Sequence, residues 1–438
     1  MAAAPELISY QQVRGDLWRP LSGAGPRYLA VVTLLSAVVL WGGIAWAYQL
    51  HAGIGVAGIR RPVFWAFYIV NFVFWIGISH AGTLISAILR LTDANWRKPV
   101  TRAAEAITVF ALMIGGMFPI IHLGRAWVFY WLIPYPNSRL LWPNFRSPLL
   151  WDLTAISTYL IGSTIYLFLP LIPDIAQLSE HATGWRRHFY RALSLGWTGS
   201  DREWRSLERA MKLMAGIILA VAVSVHTVVA WDFSMSIAPM WHSSIFGPYF
   251  VVGAIFSGIA ALLLVMSIIR KTMHLEKYLT PHHFDNLGKL LLLMSLLWLY
   301  FTIAENLTAW YGNDPSEMNV FGSRIRGHFS PYFWIMVLFN FVIPFVFLGI
   351  RRLRTVRTTT FASITVLIGM WLERYLIIVP TLSMPRLAAA WGHYSPTWVE
   401  ISITAATFAT MALLYLFFAK LFPVVSVWEF EPHSNKEA

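Results

Sequence analysis

Ten apolar stretches, each long enough to cross a bilayer as a helix, constrain this chain more than any other feature. A transmembrane helix needs about 20 mostly apolar residues to cross about 30 Å of hydrocarbon. Only 12% of the 438 residues are charged and 57% are hydrophobic. The chain is therefore predicted to be an all-α integral membrane protein, with spans 1 to 10 at residues 28–50, 63–89, 103–124, 149–173, 211–235, 245–269, 289–311, 331–350, 359–380 and 398–422.

The basic residues indicate how these spans are oriented. Cytoplasmic loops of membrane proteins carry an excess of lysine and arginine. The N-terminal segment, the even-numbered loops and the C-terminal tail, counted with the span ends at Lys289 and Lys420, hold 23 such residues, whereas the odd-numbered loops hold eight. Both termini are therefore predicted to be cytoplasmic. The same topology accounts for the net charge of +12 without nucleic acid as a partner.

An internal repeat divides the spans into two groups. The similar motif pairs are HLGRAW (122–127) with ENLTAW (305–310), SPLLW (147–151) with SPYFW (330–334), and PVF (62–64) with PYF (248–250). Their spacings of 183, 183 and 186 residues predict two four-helix bundles, spans 2–5 and 6–9, flanked by spans 1 and 10. An even number of crossings makes such copies parallel. A chance match of short motifs is the alternative.

The predicted division of the chain follows from this repeat. Residues 1–62 hold the N-terminal segment and span 1, residues 63–235 the first bundle, residues 236–380 the second bundle, and residues 381–438 span 10 and the tail.

Three ionisable residues near the outer end of the first bundle form the main candidate site. Ionisable groups inside a span are costly, so they are functional candidates. His122 lies near the outer end of span 3 and Asp152 opens span 4 at the same level, whereas Arg125 would share a helix face with His122. Imidazole and carboxylate groups can accept the hydroxyl protons of a quinol near neutral pH. Alternatively, His122 caps a helix end, and Asp152 caps span 4 or pairs with Arg125.

The second copy of the repeat departs from the first at these positions. Glu305 takes the place of His122, and Ile335 takes the place of Asp152. We therefore expect only the first bundle to hold a complete site. The loop at residues 131–148, rich in Trp, Pro and Tyr, is expected to fold over that site or against a partner.

A second group of ionisable residues lies deeper in the predicted spans. Its members are His80 in span 2, His226 and Asp232 in span 5, and Glu373 and Arg374 in span 9. Chains of Asp, Glu and His at membrane depth are typical of proton routes. The alternative is local ion pairing, as between Glu373 and Arg374, or hydrogen bonding between helices.

The residue inventory argues against redox cofactors within the chain. It contains no cysteine, which excludes disulfides, thiolate chemistry and Cys-ligated iron–sulfur clusters. The repeated His-to-His spacing of b-type cytochromes is also missing. We therefore expect neither haem nor an iron–sulfur cluster.

Several of these motifs resemble a known family. The stretch from Gly77 to Arg90 (GISHAGTLISAILR), the HLGRAW motif and the pair Trp151-Asp152 resemble the NrfD/polysulfide reductase membrane subunits. Ten spans with two flanking helices resemble most the two NrfD-type subunits of bacterial alternative complex III, a quinol oxidoreductase. One of these two subunits binds quinol and the other does not. This chain, which has both His122 and Asp152, resembles the quinol-binding subunit.

The resemblance implies a function in electron transport. Such a subunit binds and oxidises a quinol, here menaquinol, near the periplasmic face of the bacterial cytoplasmic membrane. It passes electrons to a periplasmic iron–sulfur subunit of the molybdopterin type, in an assembly with a multihaem cytochrome c, a second NrfD-like subunit and lipids. His122 and Asp152 would bind the quinol hydroxyls and take their protons, and Arg125 would orient Asp152 or stabilise a semiquinone.

Other functions remain open from the sequence. One is a quinone-free, proton-translocating NrfD-like subunit, similar to the second such subunit of alternative complex III. The others are a transporter and a structural anchor.

The charge asymmetry makes a direct prediction about topology. Reporter fusions to loops 4 and 6 should report a cytoplasmic location, and fusions to loop 3 a periplasmic one, because the basic residues are concentrated in the even-numbered loops. A periplasmic location for loop 4 would reverse the predicted orientation.

Overall fold

A computed structural model of the chain describes residues 10–133 and 145–430. Apart from one isolated bridge between Arg60 and Val63, the regular elements of the described residues are helices. Ten of them are long and apolar enough to cross a membrane, which confirms the predicted all-α architecture. These ten spans are α2 (Pro26–Ala52), α3 (Ala66–Leu91), α4 (Thr101–Ile121), α5 (Pro148–Phe168), α8 (Asp201–Ser234), α9 (Phe246–Thr272), α10 (Pro281–Gly312), α12 and α13 joined as one span (Ser330–Val337 and Ile343–Gly349), α14 (Val356–Ser383) and α15 (Trp398–Leu421).

Four shorter helices lie between or before the spans. They are α1 (Tyr10–Trp18), α6 (Ile172–His181, which continues the span begun by α5), α7 (Gly184–Leu193) and α11 (Pro315–Ile325). We call the end of the bundle with the even-numbered loops its inner end, and the opposite end its outer end.

The helix that forms span 5 begins ten residues before the apolar stretch that predicts it. Ser200 and Glu203 form a capping box, in which each side chain accepts a hydrogen bond from the other residue's backbone N–H. This arrangement satisfies two backbone donors that a helix start leaves free. Hydropathy therefore locates where α8 enters the apolar layer, whereas the capping residues determine where the helix starts.

Span 8 contains a π-helical turn, Leu338–Val342, between α12 and α13. Pro344 lacks an N–H group, so it cannot donate the usual helical hydrogen bond to the carbonyl group of Asn340. The Ser295 hydroxyl of α10 donates to that carbonyl oxygen instead, at 2.6 Å. A hydrogen bond between helices thus replaces one within the helix.

Two rings of four spans form the bundle. In the first ring α3, α4, α5 and α8 each pack on the next helix, and α8 returns to α3; α9, α10, α12–α13 and α14 repeat the pattern. The rings meet where α3 packs against α9, and the contact of α3 with α14 corresponds to that of α9 with α8. Reciprocal contacts of this kind are expected of two parallel copies. The boundaries at which the sequence divides the chain into two bundles remain a prediction.

The closest approach of two spans in the first ring is between α3 and α4. A Cβ atom on Gly82 would overlap the carbonyl oxygen of Ala104 and the hydroxyl of Thr108. Small residues let transmembrane helices pack at short distance. The Thr108 hydroxyl uses this proximity to donate to the Ser79 carbonyl oxygen at 2.7 Å.

A buried ion pair anchors the C-terminal segment at the inner end. The Arg102 guanidinium lies 2.5 Å from the Asp174 carboxylate, and both side chains are almost fully buried. Asp174 also accepts hydrogen bonds from the backbone N–H groups of Val427 and Trp428, each at 3.1 Å. The segment after α15 therefore folds back under the first ring.

Replacing Gly82 with alanine should destabilise the protein by about 1–3 kcal/mol, because α3 and α4 must separate to admit the methyl group. Denaturant titration in detergent measures the change. Gly216 of α8 is the matched control, since nothing lies within 4 Å of its Cβ position. Gly216→Ala should be neutral or stabilising, and an equal loss in both variants would contradict the packing argument.

Candidate functional site

His122 lies at the outer end of α4, where the helix terminates. The helix ends at Ile121, and Gly124 turns the chain with a φ of +70°. The imidazole ring stacks on Trp65 with 5.1 Å between ring centroids, and the residue is 6% exposed. Its Nδ1 atom has no hydrogen-bond partner among the described residues. The backbone of His122 thus caps the helix, and the Nδ1 atom of its ring remains available to bind a ligand.

Two residues that the sequence analysis did not select hold this helix end in place. The side-chain amide of Gln49 donates to the carbonyl oxygen of Ile121 at 2.9 Å, and the Tyr68 hydroxyl donates to the Gln49 amide oxygen. Gln49 is buried in α2. A lone amide inside an otherwise apolar span was the signal that could have identified it.

Asp152 lies beside Asp232, a contact that the sequence analysis did not predict. The two carboxyl groups, from α5 and α8, are within hydrogen-bonding reach of each other. Each retains a buried Oδ1 atom that has no partner within residues 10–133 and 145–430. Two carboxylates this close repel strongly, so the pair is expected to hold a proton between them. Asp232 therefore belongs with Asp152 rather than with the deeper proton-transfer residues.

The expected position of Arg125 is wrong. Because α4 ends at Ile121 and Gly124 has a positive φ, Arg125 does not share a helix face with His122. Its side chain is exposed, and within the described part of the chain it forms no ion pair with Asp152. It therefore does not orient that carboxyl group in this structure.

The loop expected to cover the site is described only at its ends, since residues 134–144 lie outside the described ranges. The preceding short helix, Ala126–Leu132, presents aromatic rings to the surface, and Trp127 is 63% exposed. After the gap, the Trp151 indole donates to the carbonyl oxygen of Phe145 at 2.8 Å.

His80 and His226 form a buried pair at the centre of the first ring. Their ring centroids are 4.2 Å apart. The His80 Nδ1 atom lies 2.9 Å from the Ile76 carbonyl oxygen, and Nε2 lies 2.6 Å from that of Ala222. A neutral imidazole has only one N–H donor, so both contacts are hydrogen bonds only when the ring carries two protons. A neutral His80 therefore donates to only one of the two carbonyl oxygens.

Glu373 and Arg374 connect the second ring to this pair. Arg374 lies 2.5 Å from Glu373, which also accepts a hydrogen bond from the Trp298 indole at 2.6 Å. The Arg374 guanidinium lies over the Phe250 ring at 4.9 Å and interacts electrostatically with His226. The local ion pair, one of the two alternatives, is therefore present. It also brings a positive charge beside the histidines.

A glycine on α9 leaves space for the Arg374 guanidinium between the helices. A Cβ atom on Gly253 of α9 would lie 2.9 Å from an Arg374 guanidinium nitrogen. Four of the five deep residues thus come together at the interface of the two rings: His80, His226, Glu373 and Arg374.

Two further acidic groups were not among the predicted deep residues. Glu105 accepts a hydrogen bond from Ser86 at 2.5 Å and is buried near the inner end. Glu305, buried at the outer end of the second ring, pairs with Arg324 at 3.5 Å. In the described residues, no group of three or more His, Asp or Glu side chains is arranged to hold a metal ion.

Comparison with known proteins adds independent information. Residues 55–385 match the family model described as polysulphide reductase, NrfD. A Halobacterium salinarum protein provisionally named as a membrane subunit of dimethyl sulfoxide reductase is 26% identical, over 90% of each chain. A selenate reductase subunit of Mesobacillus selenatarsenatis is 24% identical, over 90% of this chain and 93% of its own. The Hdr-like menaquinol oxidoreductase integral membrane subunit of Archaeoglobus fulgidus is 23% identical, over 93% and 96%.

The Glu373–Arg374 pair makes a prediction about stability. Glu373→Gln or Arg374→Gln alone should cost about 3–5 kcal/mol, because each leaves an unpaired charge in the apolar interior. The double variant should be more stable than either single variant, as measured by denaturant titration in detergent. The exposed pair of Glu208 and Lys212 on α8 is the control. Its single variants should change stability by only about 0–1 kcal/mol.

Proposed function

This chain belongs to the NrfD family of polysulphide reductase membrane subunits, and from this premise we propose that it binds and oxidises a quinol at the outer end of the first ring. The proposal rests on His122 at the outer end of α4 and on the Asp152–Asp232 pair between α5 and α8. The family supports the setting, a membrane subunit of an oxidoreductase complex, because the relatives are named as subunits of reductases or of an oxidoreductase. The chain is accordingly expected to be active only with its partners.

One observation supports a ligand at this position more than any other. His122 Nδ1, Asp152 Oδ1 and Asp232 Oδ1 are buried and make no hydrogen bond to any described residue. A buried polar atom without a partner typically costs about 1–3 kcal/mol. A quinol has two hydroxyl groups that each donate one hydrogen bond, so one hydroxyl could satisfy the imidazole nitrogen and the other a carboxyl oxygen.

The chemistry of quinol oxidation suits these groups. Oxidation removes two protons and two electrons and leaves the quinone. The His122 imidazole can accept one hydroxyl proton at Nδ1, and the Asp152–Asp232 pair, which is expected to be partly ionised, can accept the other. Trp65 holds the imidazole ring in a fixed orientation. Without cysteine the chain offers no thiolate ligand for a cluster, so the two electrons would pass to a partner protein.

The resemblance to the quinol-binding NrfD-type subunit of alternative complex III supports a more specific setting. There the electron acceptor is a periplasmic iron–sulfur subunit of the molybdopterin type, accompanied by a multihaem cytochrome c and a second NrfD-like subunit. The name of the Archaeoglobus relative includes menaquinol, which favours menaquinol as the substrate here. The bundle would lie in a bacterial cytoplasmic membrane with both termini cytoplasmic and the site at the periplasmic face.

Proton translocation is a second candidate activity, supported by a separate observation. His80, His226, Glu373 and Arg374 are buried together at the interface of the rings, whereas Asp232 contacts Asp152 in the quinol site. Charged groups at membrane depth that bind no substrate are typical of proton relays. A quinone-free NrfD-like subunit would retain this group without the quinol site.

The test is quinol-dependent reduction of the partner's clusters in assembled complexes. His122→Ala, Asp152→Asn and Asp232→Asn should each lower the rate about 10²–10⁴-fold, the usual effect of losing an acid–base group. His242→Ala is the control for the histidine, because His242 is an exposed histidine outside the site. Its rate should equal that of the wild type.

Asp232→Asn distinguishes two roles of Asp232. The structure suggests that Asp232 acts with Asp152 in the quinol site, whereas the sequence predicted a proton-transfer residue. A loss of quinol oxidation as large as that of Asp152→Asn supports the carboxyl pair. Normal rates in His122→Ala and Asp152→Asn would mean that quinol binds elsewhere, and a quinone-free, proton-translocating subunit would then be the better description.

A further inference from the structure

The outer end of the second ring contains a buried acid–base site, although the sequence analysis expected a complete site only in the first. Glu305 occupies the position that corresponds to His122 in the repeat. It is 6% exposed and pairs with Arg324, which is 3% exposed and extends from α11. A buried carboxyl group and a buried guanidinium thus replace the imidazole of the first ring.

A cavity lies between this pair and Glu373. It provides about 20 Å³ of space, enough for about one water molecule, and is lined on its polar side by Tyr249, Thr302, Glu305, Asn306, Arg324 and Glu373. Two lining atoms, Arg324 Nε and Asn306 Oδ1, are buried and have no hydrogen-bond partner in the described residues. Water in a protein interior needs two to four polar partners, so a cavity with this lining suits water rather than an apolar ligand.

The ion pair that borders the cavity is longer than two other buried ion pairs of the bundle. The shortest distance between Arg324 and Glu305 is 3.5 Å, compared with 2.5 Å for both Arg102–Asp174 and Arg374–Glu373. Charge-assisted hydrogen bonds are usually about 2.7–2.9 Å long. Arg324 therefore holds Glu305 less firmly than a purely structural pair would.

The surroundings of Glu305 connect it to the histidine pair. Its charged and titratable neighbours are Arg324 and Glu317 on α11, Glu373 on α14 and Tyr249 on α9, whereas α12 contributes Phe333 and Met336 to the cavity. Glu373 is bound to Arg374, and Arg374 lies beside His226. A polar connection therefore runs from the outer end of the second ring to the centre of the first.

We propose that Glu305 is a proton-exchange group at the outer end of this connection. Its carboxyl group releases a proton to water in the cavity and becomes the anion paired with Arg324; in the reverse step it accepts a proton from that water. Protons pass between Glu305 and the cavity water, and the charge of Glu305 acts on that of Glu373 across the cavity. Arg374 stays charged, and its repulsion of a protonated His226 links the charge of Glu373 to that of the histidines. This proposal rests on the proton translocation proposed above and is independent of the quinol site.

The test uses infrared difference spectroscopy of the assembled complex across a pH change, in H₂O and in D₂O. Wild-type protein should show a protonated-carboxyl band that titrates and shifts in D₂O, and Glu305→Gln should lack this band. Glu317→Gln removes a half-buried carboxyl group from the same end of the bundle and should retain it. Because Glu305→Gln leaves Arg324 unpaired, the variant Glu305→Gln/Arg324→Gln removes both charges and should show the same loss in a better-folded protein.

Proton release and quinol oxidation, measured on the same variants in proteoliposomes, separate the two proposals. Both Glu305 variants should retain wild-type quinol oxidation and lose part of the proton release per electron. An infrared spectrum that is unchanged in both variants would overturn the proposal, because Glu305 would then be permanently ionised beside Arg324. Loss of quinol oxidation in His122→Ala but not in the Glu305 variants would support the quinol site separately.

Discussion

Neutralisation of charge inside the apolar bundle is the constraint on which the rest of the structure depends. An isolated charge in a low-dielectric interior is expensive, so a charged side chain there needs an opposite charge or a proton. Arg102 and Asp174 join α4 to α6 and fasten the C-terminal segment. Arg324 and Glu305 join α11 to α10. The first pair fixes elements that are distant in sequence, and the second fixes two consecutive helices.

The need to neutralise buried charge also distinguishes side chains that only stabilise the fold from side chains that can exchange protons. A carboxylate neutralised by an arginine at 2.5 Å, as Asp174 is, has no reason to bind a proton. Asp152 and Asp232 have no such cation among the described residues, so a proton has to neutralise their repulsion. A pair neutralised by a proton can exchange that proton with a substrate. The outer end of the first ring is thus the part of the bundle where burial and chemistry are linked most directly.

Hydropathy was sufficient to predict the ten spans, because the bilayer imposes their length whatever their neighbours are. Helix ends were less predictable: the capping box at Ser200 extends α8, and Gly124 ends α4 early enough to remove Arg125 from the site. The contact of Glu373 with Arg374 could be anticipated because the residues are adjacent in sequence. The contact of Asp152 with Asp232 could not, because it depends on the rotation of α8 about its axis, which one sequence does not reveal.

The two rings show how one backbone position can acquire different chemistry. In the first ring the position at the end of α4 holds His122, stacked on Trp65 and without an ionic partner in the described chain. In the second it holds Glu305, and α11 supplies Arg324 to balance the charge. A neutral base with a free nitrogen suits a neutral quinol, which donates a hydrogen bond and then a proton. An acid beside a cation suits water and protons, because the cation stabilises the anion and the polar cavity can hydrate the cation when the acid is protonated. If the proposed quinol site is correct, the arginine of α11 is the feature that distinguishes the second copy from it.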